Sequence, residues 1–369
     1  MIIRELNEKD LYQSAACMVE CFGGGIDGDD LKMPTNKTLI GCFEGERLLA
    51  QLEFSQKNCF FNGKTVTCAC IGGVSSFAFA RRKGCVRALF EELKKPQYAC
   101  DISILYPFIS SYYRQFGYEA AGRYINLEIA SGNLGLIERS GDVYVAQEED
   151  LPTLLDIYNK NMLNINLAFE RYDKVPFNIK PFVTPDFTYI TNDKTGFCRL
   201  TMNRPEATLF VREINFGSAA TLKNLLGFIR NFDSSMNTII FEKLPLNSPI
   251  LYMLKDVNMA KITTNFRGSV RVNNVKKLLE MKKYNGYGSF TIAVDDEKFA
   301  VEFSQGKVDV TEYSGETELE MTRAAASAIL TSGIDRKIAE YTPGLVVNNP
   351  DSAFFGQFPV ADVWFNDGF

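Results

Sequence analysis

The stretch ARRKGCVRALF, residues 80–90, sets Arg81, Arg82 and Lys83 before Gly84 and then a segment with helical apolar spacing. The first backbone N–H groups of a helix have no internal acceptor and lie at its positive dipole end, so they attract anions. Gly84 lets a ligand come close to the backbone. Cys85, Val86 and Arg87 open the helix, and Arg87 adds another cation. The combination suits a phosphate-bearing ligand. Basic residues before a surface helix are also a common solvated pattern. What favours the ligand is the place of the cluster between two expected strands, 75–80 and 101–106.

Proton transfer has few candidates. The chain has no histidine, which excludes Ser-His-Asp and Cys-His nucleophile systems and His-ligated metals. A carboxylate, Tyr, Cys, Lys or a chain terminus must do any acid–base work near neutral pH. Tyr112 and Tyr113 stand together in SSYYRQFGY. The segment FPVADVWFNDGF is aromatic to its last residue, unlike the frayed, polar ends of most chains. Trp364, Phe365 and Phe369 can anchor the α-carboxyl of Phe369, whose ordinary pKa of about 3.3–3.7 rises on burial. Asp367 is a competing acid on the same segment, and plain packing of the tail is the alternative.

Composition narrows the class. With 46% hydrophobic and 23% charged residues, the chain reads as a soluble globular protein. Its net charge of −5 speaks against a nucleic-acid partner. No apolar run is long enough for a membrane span, and MIIRELNEKDLYQ does not read as a secretory signal. The nine cysteines lie between Cys17 and Cys198 without Cys-x-x-Cys pairs, so no metal site is expected. Reduced, mostly buried thiols in a cytoplasmic protein are expected instead.

The elements that must position these residues occur twice. IIRE reads as a strand, Asn7 as an N-cap, and Leu11, Ala15, Met18, Val19 and Phe22 follow at helical spacing. The strand Val143–Ala146 and the helix carrying Leu154, Leu155 and Ile157 run the same way, with Asp150-Leu151 in the place of Asp10-Leu11. The first copy continues with strand 75–80, helix 85–95, strand 101–106 and a short helix closed by Gly117. The second continues with strand 208–216, helix 220–232, strand 237–242 and a helical stretch 248–256. This is an internal repeat of α/β units. Beyond about residue 272 the pattern changes to an amphipathic helix, two or three strands with turns at Asp295-Asp296 and Ser304-Gln305-Gly306, and an Ala-rich helix. That is a third, α+β unit, closed by the aromatic tail.

A strand, a basic Arg-x-x-Gly turn with its helix, a second strand and then Tyr113-x-x-Phe116-Gly117-Tyr118 resemble the GNAT superfamily of acetyl-CoA-dependent N-acetyltransferases. The resemblance implies that the pantetheine arm of acetyl-CoA lies between two parting strands. It implies cofactor contacts at Phe77, Ala78 and Phe79, at Arg82, Lys83, Gly84, Cys85, Val86 and Arg87, and at Phe108 and Ile109. Tyr113 would protonate the departing thiolate, with Tyr112 as the rival; Cys85 would be a cofactor-side residue rather than a nucleophile. The order of units further resembles the enhanced intracellular survival (Eis) family. That implies a catalytic GNAT domain (1–140), a degenerate second GNAT domain (141–272) and a sterol-carrier-protein-like domain (273–369). The C-terminal carboxylate of Phe369 would be the base, the acceptor an amine such as an aminoglycoside or a lysine side chain, and the assembly a homo-oligomer, often a hexamer. No metal is implied. There are two departures: SSFAFARRKG runs into the basic turn with a shorter loop than usual, and Val86 replaces the second glycine of the pattern. An inactive acetyl-CoA sensor and a lipid carrier using the third unit are the competing readings.

Overall fold

A computed structural model describes residues 1–179, 185–365 and 367–369, with every side chain in them except that of Arg267. The repeat is visible element by element. The first copy runs β1 (Ile2–Glu5), α1 (Leu11–Phe22), β2 (Thr38–Glu44), β3 (Arg47–Phe61), β4 (Lys64–Ser76), α2 (Cys85–Glu92), β5 (Ile102–Leu105), α3 (Ser110–Arg114) and β6 (Glu119–Ala130). The second runs β7 (Val143–Val145), α4 (Leu151–Met162), β8 (Asp186–Thr191), β9 (Gly196–Asn203), β10 (Thr208–Phe216), α5 (Ala219–Arg230), β11 (Thr238–Leu244) and β12 (Lys261–Val272). A 3-10 helix, Pro249–Met253, stands where α3 stands in the first copy.

Both copies start their first helix by the same device. Asn7 and Asp10 form a reciprocal capping box, and so do Gln147 and Asp150. Each box closes a 3-10 turn that feeds directly into a twelve-residue helix. The pattern is local, which is why it can be read from sequence.

All twelve strands form one sheet in the order β1-β2-β3-β4-β5-β12-β6-β11-β10-β9-β8-β7. The last strands are exchanged between the copies. β12, from the second, pairs antiparallel with β5 of the first, while β6, from the first, pairs antiparallel with β11 of the second. Among the described residues only β4–β5 and β10–β11 are parallel pairs in this sheet.

The third unit begins with α6 (Val275–Met281) and holds a second sheet of β13 (Tyr287–Val294), β14 (Glu297–Ser304), β15 (Lys307–Glu312), β16 (Leu319–Met321) and β17 (Leu345–Val347), in the order β15-β14-β13-β16-β17. Its helix α7 (Arg323–Ser332) packs on β6 and β12. Ser327 ties it down: its hydroxyl donates to Gly117 O (3.1 Å) and accepts from Val272 N (2.9 Å). One apolar core runs from Cys68, Cys70, Ile102 and Ile104 into Ala325, Ala326 and Ile329 of α7. All nine cysteines are free and all but Cys21 are buried. Among the described residues no helix is long and apolar enough to cross a membrane.

Candidate active site

Strands β4 and β5 form a fork. They pair from Cys68–Ile102 to Ile71–Leu105 and then separate. At the closed end, Asp101 Oδ2 accepts from Thr67 N (2.9 Å), Thr67 Oγ1 (2.9 Å) and Lys277 Nζ of α6 (2.7 Å). At the open end each strand is turned away by its own sequence. Pro107, two residues past Leu105, has no N–H with which to extend the ladder. In β4 the register against β3 slips between Gln51 and Glu53, and Gly73 adopts φ +53°.

The fork separates two faces. On one lie α2 and α3, packed over Phe54, Ile71 and Leu105. At the start of α2, Gly84 is the N-cap at φ 82°, left-handed, with open space where a Cβ would be. The N–H groups of Cys85, Val86 and Arg87 find no acceptor among the described residues; the first helical bond runs from Ala88 N to Gly84 O (3.0 Å). Arg81, Arg82 and Lys83 are exposed and make no ion pair among the described residues, while Arg87 Nη2 donates to Gln115 Oε1 (3.0 Å). Arg82 sits at φ 64°, bending the chain into the helix.

The expected strand 75–80 is corrected. β4 ends at Ser76, and Ala78–Ala80 is a 3-10 turn. The shortened loop explains this: residues that would prolong the strand must turn the chain towards α2. Phe77 N donates to Leu49 O (3.1 Å) and Ala78 N to Glu20 Oε1 (2.6 Å), so those two groups are already occupied. Phe77 and Phe79 stack at 5.2 Å, and the Arg47 guanidinium covers Phe79 at 3.7 Å. The free edge beside the fork is the end of β4 itself, residues 72–76.

Past the fork, Phe108 and Ile109 are exposed and lead into α3. Tyr113 is 3% exposed, its ring against Phe90, Phe108, Tyr112 and Tyr118. Burial pushes its phenol above the ordinary value, with Tyr112 and Tyr118 adding to the shift. Tyr112 is only half-buried, and burial raises its pKa as well.

On the opposite face lies the C-terminal tail. Phe369 stacks on Tyr106, the first residue past β5, at 5.0 Å and 15°, and meets Phe169 edge-on at 5.8 Å. Tyr106 Oη donates to Asp367 O (2.5 Å) and Lys57 Nζ to Gly368 O (3.0 Å). Asp367 is no free acid: Arg171 Nε donates to its Oδ2 (2.8 Å) and Arg171 Nη2 to its Oδ1 (2.5 Å). The same guanidinium binds both oxygens of Glu213 on β10, at 3.0 and 3.1 Å, and lies 3.6 Å from the Tyr158 ring centre. Sequence reading missed Arg171, Glu213, Tyr106 and Lys57; an arginine in AFERYDK looks like a surface charge until its burial is known.

The acidic loop IDGDDLK closes on itself. Asp27 Oδ1 accepts from Asp29 N and Asp30 N, Asp30 Oδ2 accepts from Asp27 N, and Lys32 pairs with Asp29. In the second copy the start of α5 is already filled: Ser218 Oγ accepts from Thr221 N (3.1 Å).

Residues 2–121 match the family model of the acetyltransferase (GNAT) domain. Among curated proteins no sequence match is found. In fold the whole chain is similar to Eis1 from Mycobacterium abscessus (15% identity, TM-score 0.82, 100% of each chain covered). It is similar to a GCN5-related N-acetyltransferase from Anabaena variabilis (20% identity, TM-score 0.84, 100% of each chain). It is similar also to a conserved protein from Enterococcus faecalis V583 (16% identity, TM-score 0.84, 99% of each chain). The chain therefore carries an acetyltransferase domain of the GNAT class and has an Eis-like architecture.

Proposed function

We propose that this acetyltransferase moves an acetyl group from acetyl-CoA to the amine of a small molecule or a lysine side chain, by direct attack on the thioester. The observation that carries the reading is the β4–β5 fork, with the open N-terminus of α2 on one face and the C-terminal Phe369 on the other. Donor and acceptor would approach from opposite faces and meet in the gap.

The residues present suit a pyrophosphate. Unaccepted N–H groups of Cys85, Val86 and Arg87, the left-handed Gly84 and the unpaired Arg81, Arg82 and Lys83 form an anion cradle. The edge of β4 at residues 72–76 offers backbone groups to the pantetheine arm in place of Phe77–Phe79. Acetyl-CoA supplies the thioester. The Phe369 carboxylate accepts the proton of the attacking amine, directly or through water, and Tyr113 gives its proton to the thiolate as the C–S bond breaks. A buried phenol with a raised pKa is protonated at neutral pH, as a donor must be.

The first copy, 1–140, is read as the catalytic domain and the second, 141–272, as a degenerate relative whose task is to hold the tail. The third, 273–369, is read as sterol-carrier-like and as the supplier of the terminal carboxylate. A homo-oligomer in the cytoplasm fits the Eis-like architecture. A panel of amines incubated with acetyl-CoA, followed by thiol release, tests the proposal. Amine-dependent thiol release is expected; its absence with every amine would remove the transferase reading.

A further inference from the structure

The gap has a floor and a wall that the reading above does not use. Glu53 on β3 pairs with Gly72 on β4, the first position beyond the last β4–β5 pair, Ile71–Leu105. Tyr106 follows Leu105 on one side of the parting strands as Gly72 follows Ile71 on the other, so Glu53 and Tyr106 are separated by more than two strand spacings, over about 10 Å. Side chains two residues apart share a face of a strand. Glu53, Ser55 and Lys57 thus share the face on which Lys57 holds Gly368 O and Tyr106 stacks on Phe369.

The two glycines make room for Glu53. A Cβ on Gly72 would lie 3.3 Å from Glu53 Oε2, and one on Gly73 would lie 2.6 Å from Glu53 Cγ. The carboxylate thus lies over the backbone where β4 leaves β5. It is not empty-handed: Lys37 Nζ sits 2.7 Å from Glu53 Oε2, and the side chains are 34% and 19% exposed. Lys37 immediately precedes β2, at the end of the loop 23–37 that contains the self-satisfied acidic turn. The chain thus places an alkylammonium of its own, on a four-carbon stem, at the acceptor side of the fork.

We propose that Glu53 is the ammonium subsite for the acceptor, and that Lys37 occupies it as a built-in competitor. The acceptor class is then a primary alkylamine that arrives protonated: a lysine side chain or a small polyamine. Its ammonium displaces Lys37 and is held by Glu53 over the Gly72–Gly73 floor, on the same face of the sheet as the tail that carries the base. The inference rests on the acetyl-transfer reading for what happens next, and on the Glu53–Lys37 pair for binding itself. A half-buried carboxylate gives a cation a stronger hold than an exposed one, because water competes less.

Binding and turnover are measured separately to keep the two apart. Cadaverine is titrated calorimetrically into wild-type protein, Lys37→Met and Glu53→Gln, with pentanol as the uncharged control and circular dichroism to confirm folding. Removing the competitor should tighten cadaverine binding at least about tenfold, and removing the carboxylate should weaken it at least about tenfold, each about 1.4 kcal/mol. Pentanol should respond to neither. Equal cadaverine affinity in wild type and Lys37→Met, or undiminished affinity in Glu53→Gln, overturns the subsite, as does undetectable binding to both wild type and Lys37→Met. Cadaverine that binds in the expected pattern but never drives thiol release from acetyl-CoA leaves the subsite standing and removes the transferase reading for this class. Cadaverine that is acetylated with no change in its KM in either variant does the reverse.

Discussion

Arg171 and Asp367 are joined by paired hydrogen bonds, 2.8 and 2.5 Å long, across 196 residues of chain. Arg171 is 4% exposed and Asp367 8%, and Glu213 closes the other side of the guanidinium. The pair fixes the tail two residues before its end. Cutting one partner from a buried ion pair leaves a charge uncompensated, typically at about 3–5 kcal/mol. Arg171→Met is therefore expected to lower the thermal midpoint clearly. Asp367→Asn should cost less stability and reduce turnover while acetyl-CoA affinity stays close to wild type. An Asp367→Asn enzyme with full turnover would show that the clamp does not place the catalytic end.

The tail itself is tested by three changes. Deleting Phe369 removes the ring that stacks on Tyr106 and moves the carboxylate to Gly368. Amidation keeps the ring and removes the charge, and an appended tag keeps the ring and displaces the charge. All three are expected to lose about 10²–10⁴-fold in turnover, the usual worth of general acid–base help, with acetyl-CoA binding retained. Near-normal turnover in the amidated or tagged protein would assign the tail to packing alone.

Tyr113→Phe removes a hydroxyl from a buried ring and little volume. Turnover should fall while cofactor affinity and melting temperature change little. Tyr112→Phe is the internal control, and a larger loss there would transfer the role to Tyr112.

At the basic turn, Arg82→Ala should weaken acetyl-CoA binding by about 1.5–3 kcal/mol, the range for hydrogen bonds to charged groups. Gly84→Val should do worse. It forces a β-branched residue into the left-handed region at φ 82° and puts a side chain where a phosphate would approach. Calorimetry should give one acetyl-CoA site per chain, because the start of α5 is capped by Ser218 and no basic pair precedes it. Two equivalent sites would contradict this assignment.

Asp101 pins the closed end of the fork, and its pKa is lowered overall. Burial pushes it up, but the Lys277 ammonium and the N–H and hydroxyl of Thr67 outweigh burial. A depressed carboxylate contributes stability above its unfolded pKa, about 3.9, and loses that contribution as pH falls through the folded value. Asp101→Asn should be less stable than wild type at neutral pH, and the difference should close as the pH falls below about 4. Urea midpoints measured across that range check the sign; a difference that widens in acid would mean Asp101 is not held ionised.

The local parts of this fold were legible. The correspondence of Asp10-Leu11 with Asp150-Leu151 announces the repeat, because each acid closes a capping box that needs only four consecutive residues. The strand 208–216 is legible to the residue from its run of β-branched and aromatic residues, although its register against β9 shifts between Val211 and Glu213 and its buried face carries Glu213 and Asn215. SSFAFA alternates, yet the chain turns at Ser76, because the distance left to α2, rather than propensity, decides where β4 must stop. The basic turn could be seen in sequence; Glu53, Lys37 and Arg171 could not. Their meaning lies in what they face from distant segments, and no spacing along the chain encodes that.

The exchange of β6 and β12 has a consequence in time. A ribosome that has made β5 has not yet made its antiparallel neighbour, which begins at Lys261. At about 5–20 residues per second, the first copy waits on the order of ten seconds or more with one edge of β5 unpaired. β6 emerges during that interval and finds its own neighbours, β11 and β12, also still to come. The halves cannot mature one after the other. The strands of the fork and its floor, β3, β4 and β5, are made early, but their antiparallel neighbour β12 and the Asp367 end of the clamp arrive only with the last third of the chain, so the sheet is completed late.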